Sequence, residues 1–341
     1  MENQLPMDLL TGELMKLDFH THHYPLAYLD EVEKYPSDAC RVTRDATGRR
    51  LVHYAGDFNI VADGHIDLEA RLAEMQRTGM DMCLLTLTTP GVHVEARARG
   101  IQLAQIVNDS YAEIQRQFPD KFACLATLPL QDPQAAADEL ERAVTKLGLC
   151  GAMLFANVNG KPIHHEAYWP LYETAARLDV PLMIHPTSPP GVEAYQEYRT
   201  TALVGFLVDT TLCITLLMFE GIMEKFPTIK FVLGHLGGTI PYIAERIDRG
   251  YDAYPEVRKN LAHKPSFYFK RNCYYDTVAF EPNALQFAIQ FAGADHVMLG
   301  SDYPHQIGDM DKAIKVIQGL PIAEDVRAAV LGGNAQRLLR R

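Results

Sequence analysis

Eight apolar runs of strand length recur along the chain, and helical patterns separate most of them. They are Met15–His20, Asp81–Thr88, Phe122–Leu130, Leu149–Phe155, Val180–His185, Ile229–His235, Asn272–Thr277 and His296–Asp302. Helical spacing fills many of the gaps, as across Asp67–Thr78, Glu95–Phe118, Pro133–Leu147, His165–Leu178, Thr210–Lys225 and Pro282–Ala292. A strand that is apolar without alternation is covered on both faces, which is the signature of a parallel sheet flanked by helices. Eight β-then-α units favour closure over an open sheet, so the expected fold is an α/β (β/α)8 TIM barrel, and 341 residues suit one. No GxGxxG follows the first run, which removes the main support for a dinucleotide site.

One segment breaks the alternation. Pro25–Gly64 is polar, and two short strands flanking Asp45–Gly48 predict a hairpin. It reads as a small insertion after strand one, about residues 26–65, that caps the barrel mouth. Residues 1–14 read as an extension ahead of a barrel covering 15–341. The formal net charge of -11 argues against nucleic acid or an anionic membrane as partner. A small anionic substrate remains open to it, because a local arginine or metal overrides the global field. Six cysteines without a CxxC pair read as reduced core thiols of a cytoplasmic protein. The start of the chain lacks the basic and apolar blocks of a signal peptide, and every apolar run reads as too short for a membrane span.

Chemistry concentrates at the strand ends. His20 and His22 stand two apart on the first strand, so both imidazoles enter the barrel from one face. His23 then points the other way. His185 ends the fifth run, His235 the sixth and Asp302 the eighth. In a barrel all these C-terminal ends meet at one mouth, where such folds do chemistry. Four histidines and an aspartate at one rim predict a divalent metal site. Imidazole and carboxylate suit Zn2+ first and Mn2+ as well, and three histidines with one aspartate leave a coordination position open. Other histidines, His53, His164, His165, His263 and His296, fall in loops, at helix starts or at the wrong end of a strand.

These stretches carry a resemblance. DFHTHHYP, GAMLFANVNGKPI, VPLMIHPT, EKFPTIKFVLGHLGG and HVMLGSDYPH resemble the amidohydrolase superfamily, in its branch related to 2-amino-3-carboxymuconate-6-semialdehyde decarboxylase. The likeness runs from about Met15 to the end. It implies metal ligands at His20, His22, His185 and Asp302, an acid–base role for His235, and one metal rather than two. Two-metal members carry a bridging lysine at the end of strand four, where this chain has Leu154–Phe155–Ala156–Asn157 and places Lys161 further out. The resemblance also implies that Arg246, eleven residues after His235, binds a substrate carboxylate across a homodimer or dimer-based interface. A guanidinium fits a carboxylate bidentately. Arg50 in the insertion is a second carboxylate candidate. Asn157, Thr88, Tyr303 and His305 lie at strand ends and are candidates to line the pocket.

The expected activity is non-oxidative decarboxylation of an aromatic or muconate-like carboxylic acid, with His235 moving a proton and Asp302 aiding protonation of the carbon that loses CO2. The alternative is a metal-dependent hydrolase of a lactone, amide or C–C bond at the same site, since both chemistries use the same residues. A third reading, a structural metal without turnover, requires a closed four-ligand site.

Overall fold

A computed structural model describes residues 15–54 and 57–340, so the expected N-terminal extension lies outside the described residues. Leu17–His22 pairs in parallel with Met82–Thr86, which pairs with Phe122–Cys124. A second parallel sheet runs in the order Ala126–Thr127, Ala152–Phe155, Pro181–His185, Lys230–Leu233, Cys273–Asp276, Val297–Met298. Backbone hydrogen bonds link the two sheets at both edges. On one side Cys150 N donates to Cys124 O at 3.0 Å and Ala126 N to Gly151 O at 2.9 Å. On the other, Phe19 N donates to Leu299 O at 2.8 Å and Asp302 N to His20 O at 2.9 Å. The fold is α/β and TIM-barrel-like, with parallel strands covered by helices.

The strands form where the apolar runs predict them because both faces are covered. Leu182, Met183 and Ile184 of Pro181–His185 are all fully buried. Helix starts use the side chains expected of caps: Asp67 accepts from Glu69 N and Ala70 N, and Asp132 from Ala135 N.

Four details differ from the sequence expectation. The eighth strand is only Val297–Met298, because Leu299 N turns away to Val330 O and Asp302 takes a left-handed φ of 59°. The polar segment holds a helix, Leu26–Lys34, which buries Tyr28, Leu29 and Val32. It also holds three antiparallel strands rather than two: Arg41–Arg44, Arg50–Tyr54 and Asp57–Ile60. Asp45 shapes the hairpin, accepting from Thr47 N and Arg49 N. Finally, Glu197–Phe219 is long and apolar enough, by length and composition, to cross a membrane, which corrects the expectation that every run falls short. Its Asp209 is buried and accepts hydrogen bonds from Thr187 N and the Asn157 amide. Cys213, Ile214, Leu217 and Met218 pack inward, while Leu203, Val204, Val208 and Leu212 are exposed.

Candidate metal centre and active site

The strand ends bring His20, His22, His185, His235 and Asp302 together. His20 Nε2 lies 3.1 Å from His22 Nε2, and Asp302 Oδ1 lies 3.1 Å from His22 Nε2 and 3.5 Å from His20 Nε2. The His185 ring centroid is 4.8 Å from that of His22 and 5.3 Å from that of His20. All four of these residues are buried.

Three outer contacts fix the imidazole tautomers. His20 Nδ1 meets the Asp276 carboxylate at 2.5 Å. His185 Nδ1 meets the Pro186 carbonyl at 2.7 Å. His22 Nδ1 meets Thr86 Oγ1 at 2.9 Å, and that hydroxyl donates its own proton to Thr21 O at 2.8 Å. Each Nδ1 is therefore the protonated nitrogen, and each Nε2 turns a lone pair toward Asp302. Lone pairs and a carboxylate oxygen at such distances repel unless a proton or a metal cation lies among them. His185 Nε2 is buried without a hydrogen-bond partner, which is the state of a ligand atom. Ligand atoms around one ion at ~2.0–2.2 Å stand roughly 3–3.5 Å apart, as those of His20, His22 and Asp302 do. Burial drives His22 and His185 well below the ordinary imidazole pKa, so both stay neutral. Burial also opposes charge on His20, but Asp276 and Asp302 more than offset it and leave its pKa raised. The pocket floor thus favours a positive charge, and the donor set fits a divalent metal.

His235 follows the sixth strand with φ 54°. Its Nε2 is 4.0 Å from Asp302 Oδ2, and its Nδ1 is buried without a partner. Nothing fixes its tautomer. The geometry also groups His235 with His20, His185 and Asp302, and His305 with His22 and Asp302, as sets able to hold an ion.

A cavity of about 280 Å³ opens over His185, His235 and Asp302. Phe58, Ile60 and Phe206 supply apolar wall, and Arg49 and Arg199 line it as well. Thr88 and His305 also line it, with Thr88 Oγ1 2.9 Å from His305 Nε2. The other substrate candidates do not line the cavity within the single chain. Asn157 is buried and bonds Ser188 O and Asp209. The Tyr303 ring packs under the Arg71 guanidinium at 4.9 Å. Arg50 pairs with Asp30 and Glu33, and Arg246 is exposed on Ile240–Ala253.

Sequence reasoning passed over Asp276. It ends the seventh strand and accepts from His235 N at 3.0 Å and Leu236 N at 2.8 Å, besides His20. It thereby sets the His20 ring and the start of the His235 loop together. Its position at a C-terminal strand end was the available signal. Asp276→Asn keeps the shape but loses the charge, and should weaken metal binding by about 10–100-fold, the usual effect of altering such a partner. Competition with a chelator measures this, and an unchanged affinity would leave Asp276 a merely structural residue.

The sequence pattern of the Amidohydrolase family matches residues 17–341. The chain belongs to the amidohydrolase family. Among relatives of this amidohydrolase, 2-amino-3-carboxymuconate-6-semialdehyde decarboxylase of Dictyostelium discoideum is 27% identical over 95% of this chain and 91% of its own length. Gamma-resorcylate decarboxylase of Polaromonas sp. is 33% identical over 80% of this chain and 87% of its own. A solved dihydroxybenzoic acid decarboxylase from Polaromonas sp., with bound manganese and the inhibitor 2-nitroresorcinol, superposes with a TM-score of 0.80 at 28% identity. That match covers 96% of the amidohydrolase and 97% of the solved chain.

Proposed function

We propose that this amidohydrolase is a metal-dependent, non-oxidative decarboxylase of an aromatic or muconate-like carboxylic acid. The observation that carries the reading is the cluster of imidazoles with fixed tautomers around Asp302, set beside an unfixed His235 in a cavity of about 280 Å³. The decarboxylase names of its relatives support it. His20, His22, His185 and Asp302 would hold one ion, and Phe155–Asn157 offers no lysine for a second. The ion is Zn2+ on ligand chemistry, with Mn2+ as the second reading because the solved neighbour carries it. When bound, the metal supplies Lewis acidity that orients an oxygen-bearing substrate and neutralises its charge.

The residues do the rest. A proton is delivered to the ring carbon that bears the carboxylate, the C–C bond then breaks, and its electron pair returns to the ring as CO2 leaves. Charge and atoms balance without an oxidant. His235 faces Asp302 across 4.0 Å and is the group free to change protonation. Burial holds its pKa down, so it stays neutral until it takes up a proton to deliver. Phe206, with its ring centroid 6.2 Å from that of His235, helps exclude water. CO2 release from a panel of aromatic acids by metal-reconstituted protein tests the reading. Product carrying oxygen from labelled solvent, without CO2, would replace it with the hydrolase alternative.

Further readings belong with this one. The eight parallel strands close into a single barrel over residues 15–341, with an insertion at about 26–65. The chain works in the cytoplasm, in keeping with five buried cysteine thiols. A second copy covers the exposed stripe of Val204, Val208 and Leu212 together with Tyr242, which is 81% exposed on the neighbouring helix. Thr211 and Thr239 join the two helices at 3.0 Å. Arg246 lies four residues after Tyr242, on the same helix face. Leu203, exposed beside that stripe, also lines the cavity, so the covered surface reaches the mouth. Arg246 from one copy then binds the substrate carboxylate of the other. Arg246→Ala should raise KM for an acid substrate by at least thirtyfold, since losing one member of a desolvated charge pair costs about 2 kcal/mol or more. Arg246→Lys recovers little. An unchanged kcat/KM for Arg246→Ala would leave it a surface charge.

A further inference from the structure

His65 lies in the short helix Asp63–Ile66, between the small antiparallel sheet and the mouth, and it lines the cavity. The Ala62 backbone N–H donates to its Nδ1 at 3.1 Å. An accepting Nδ1 cannot carry the proton, so in the neutral ring the proton sits on Nε2. That Nε2 is buried and has no hydrogen-bond partner among the described residues. A buried donor left unpaired is costly, and such groups call for a function.

The ring has little freedom to turn its N–H elsewhere. Its backbone carbonyl accepts from Tyr24 N at 2.7 Å. The preceding Gly64 carbonyl accepts from the buried Arg71 guanidinium at 2.8 Å, and that guanidinium also donates to the carbonyl of His22. A Cβ on Gly64 would lie 2.3 Å from the Tyr303 hydroxyl, so the segment is clamped against Tyr303. His305 stands against both sites, with its ring centroid 5.1 Å from that of His65 and 4.8 Å from that of His22. The His305 ring therefore stands between His65 and the metal cluster, and both histidines line one cavity.

We infer that His65 Nε2–H selects the substrate by donating to a ring oxygen, a hydroxyl or phenolate, that lies away from the carbon losing CO2. The inference rests on the decarboxylase reading for the carboxylate end of the ligand, while the ring-oxygen contact is independent of turnover. A neutral donor suits a phenolic oxygen. A second buried carboxylate would need a cation, and the cavity's cations, Arg49 and Arg199, belong to the mouth, where Arg199 already pairs with Asp57 at 2.9 Å. Burial, with His305 and Arg71 nearby, keeps His65 well below the ordinary imidazole pKa, so the tautomer persists across the neutral range.

Calorimetric binding to zinc-loaded protein tests this with salicylate and its 4-hydroxy and 5-hydroxy derivatives. At least one dihydroxy acid should bind about tenfold more tightly than salicylate, the worth of a well-placed hydrogen bond. His65→Asn retains an oxygen for the Ala62 N–H but withdraws the Nε2 donor, and should abolish that preference. Should the variant not fold, the wild-type His65 Nε2–H proton resonance gives the same answer. It should move downfield with the preferred dihydroxy acid and stay in place with salicylate. A wild type without the preference, one that binds none of the three acids, a preference retained in His65→Asn, or an unmoved resonance overturns the inference. If the preference appears but no CO2 is released from any of these acids, the decarboxylase reading fails while the His65 contact stands.

Discussion

Asp302→Asn and His185→Ala should each lose bound metal and, with it, turnover, while the protein stays folded. Changing an outer partner of a ligand typically costs about 10–100-fold in affinity. Loss of a ligand itself should therefore exceed about 10²-fold. Asparagine is the better replacement for Asp302, because that residue holds φ 59° and asparagine tolerates the left-handed region. The metal-free proteins carry a sharper test. In the wild type with both rings neutral, Asp302 Oδ1 and the Nε2 lone pairs of His20 and His22 stand 3.1–3.5 Å apart with nothing but acceptors facing. The side-chain amide introduced by Asp302→Asn can instead donate to one of those nitrogens, a bond worth about 1 kcal/mol. At alkaline pH, where His20 is neutral, metal-stripped Asp302→Asn should therefore melt no lower than metal-stripped wild type, whereas added metal should raise the wild-type Tm and leave the variant's unmoved. Elemental analysis and paired melting curves measure both effects. Stoichiometric metal in both variants would remove these residues from the ligand set.

What the sequence disclosed of this site follows from how parallel strands are built. Each buried strand is a continuous apolar run, so the first polar residue after it marks the strand's C-terminal end. His185, His235 and Asp302 stand out for that reason, and the His20/His22 pair by its two-residue spacing. Asp276 occupies an equivalent place, yet its weight comes from contacts with His20, 256 residues away in sequence, and with the backbone of His235 and Leu236. No local pattern carries such a link. His65 stayed hidden for a related reason. A lone histidine between a strand and a helix looks structural until the Ala62 N–H is seen to fix its tautomer. In the polar segment, the Asp45–Gly48 turn was legible because the Asp45 side chain makes the turn. The third strand was not, since Asp57–Ile60 is four residues long with none fully buried. Helix Leu26–Lys34 buries only three side chains among charged neighbours, which reads as polarity when averaged over the segment.

His235→Ala should keep its metal and lose kcat by about 10²–10⁴-fold, the range that a positioned acid–base group supplies. The contrast among the histidines is the physical ground. His20, His22 and His185 each have one ring nitrogen held by a carboxylate, a hydroxyl or a carbonyl, which commits the other nitrogen to ligation. His235 has no such tie. Its Nδ1 is unpartnered and its Nε2 faces Asp302 at 4.0 Å, too long for a hydrogen bond at rest and short enough to close on a bound substrate. A group with two uncommitted nitrogens can take a proton and hand it on. Distance alone would also permit His235 to ligate, since it groups with His20, His185 and Asp302. Metal content separates the two roles. A His235→Ala protein that retains stoichiometric metal but fails to turn over assigns the residue to proton transfer. Partial recovery with added imidazole, which can enter the cavity that the lost ring lined, would strengthen that assignment. Loss of metal in the variant would move His235 into the ligand set, and a wild-type kcat would take it out of the reaction.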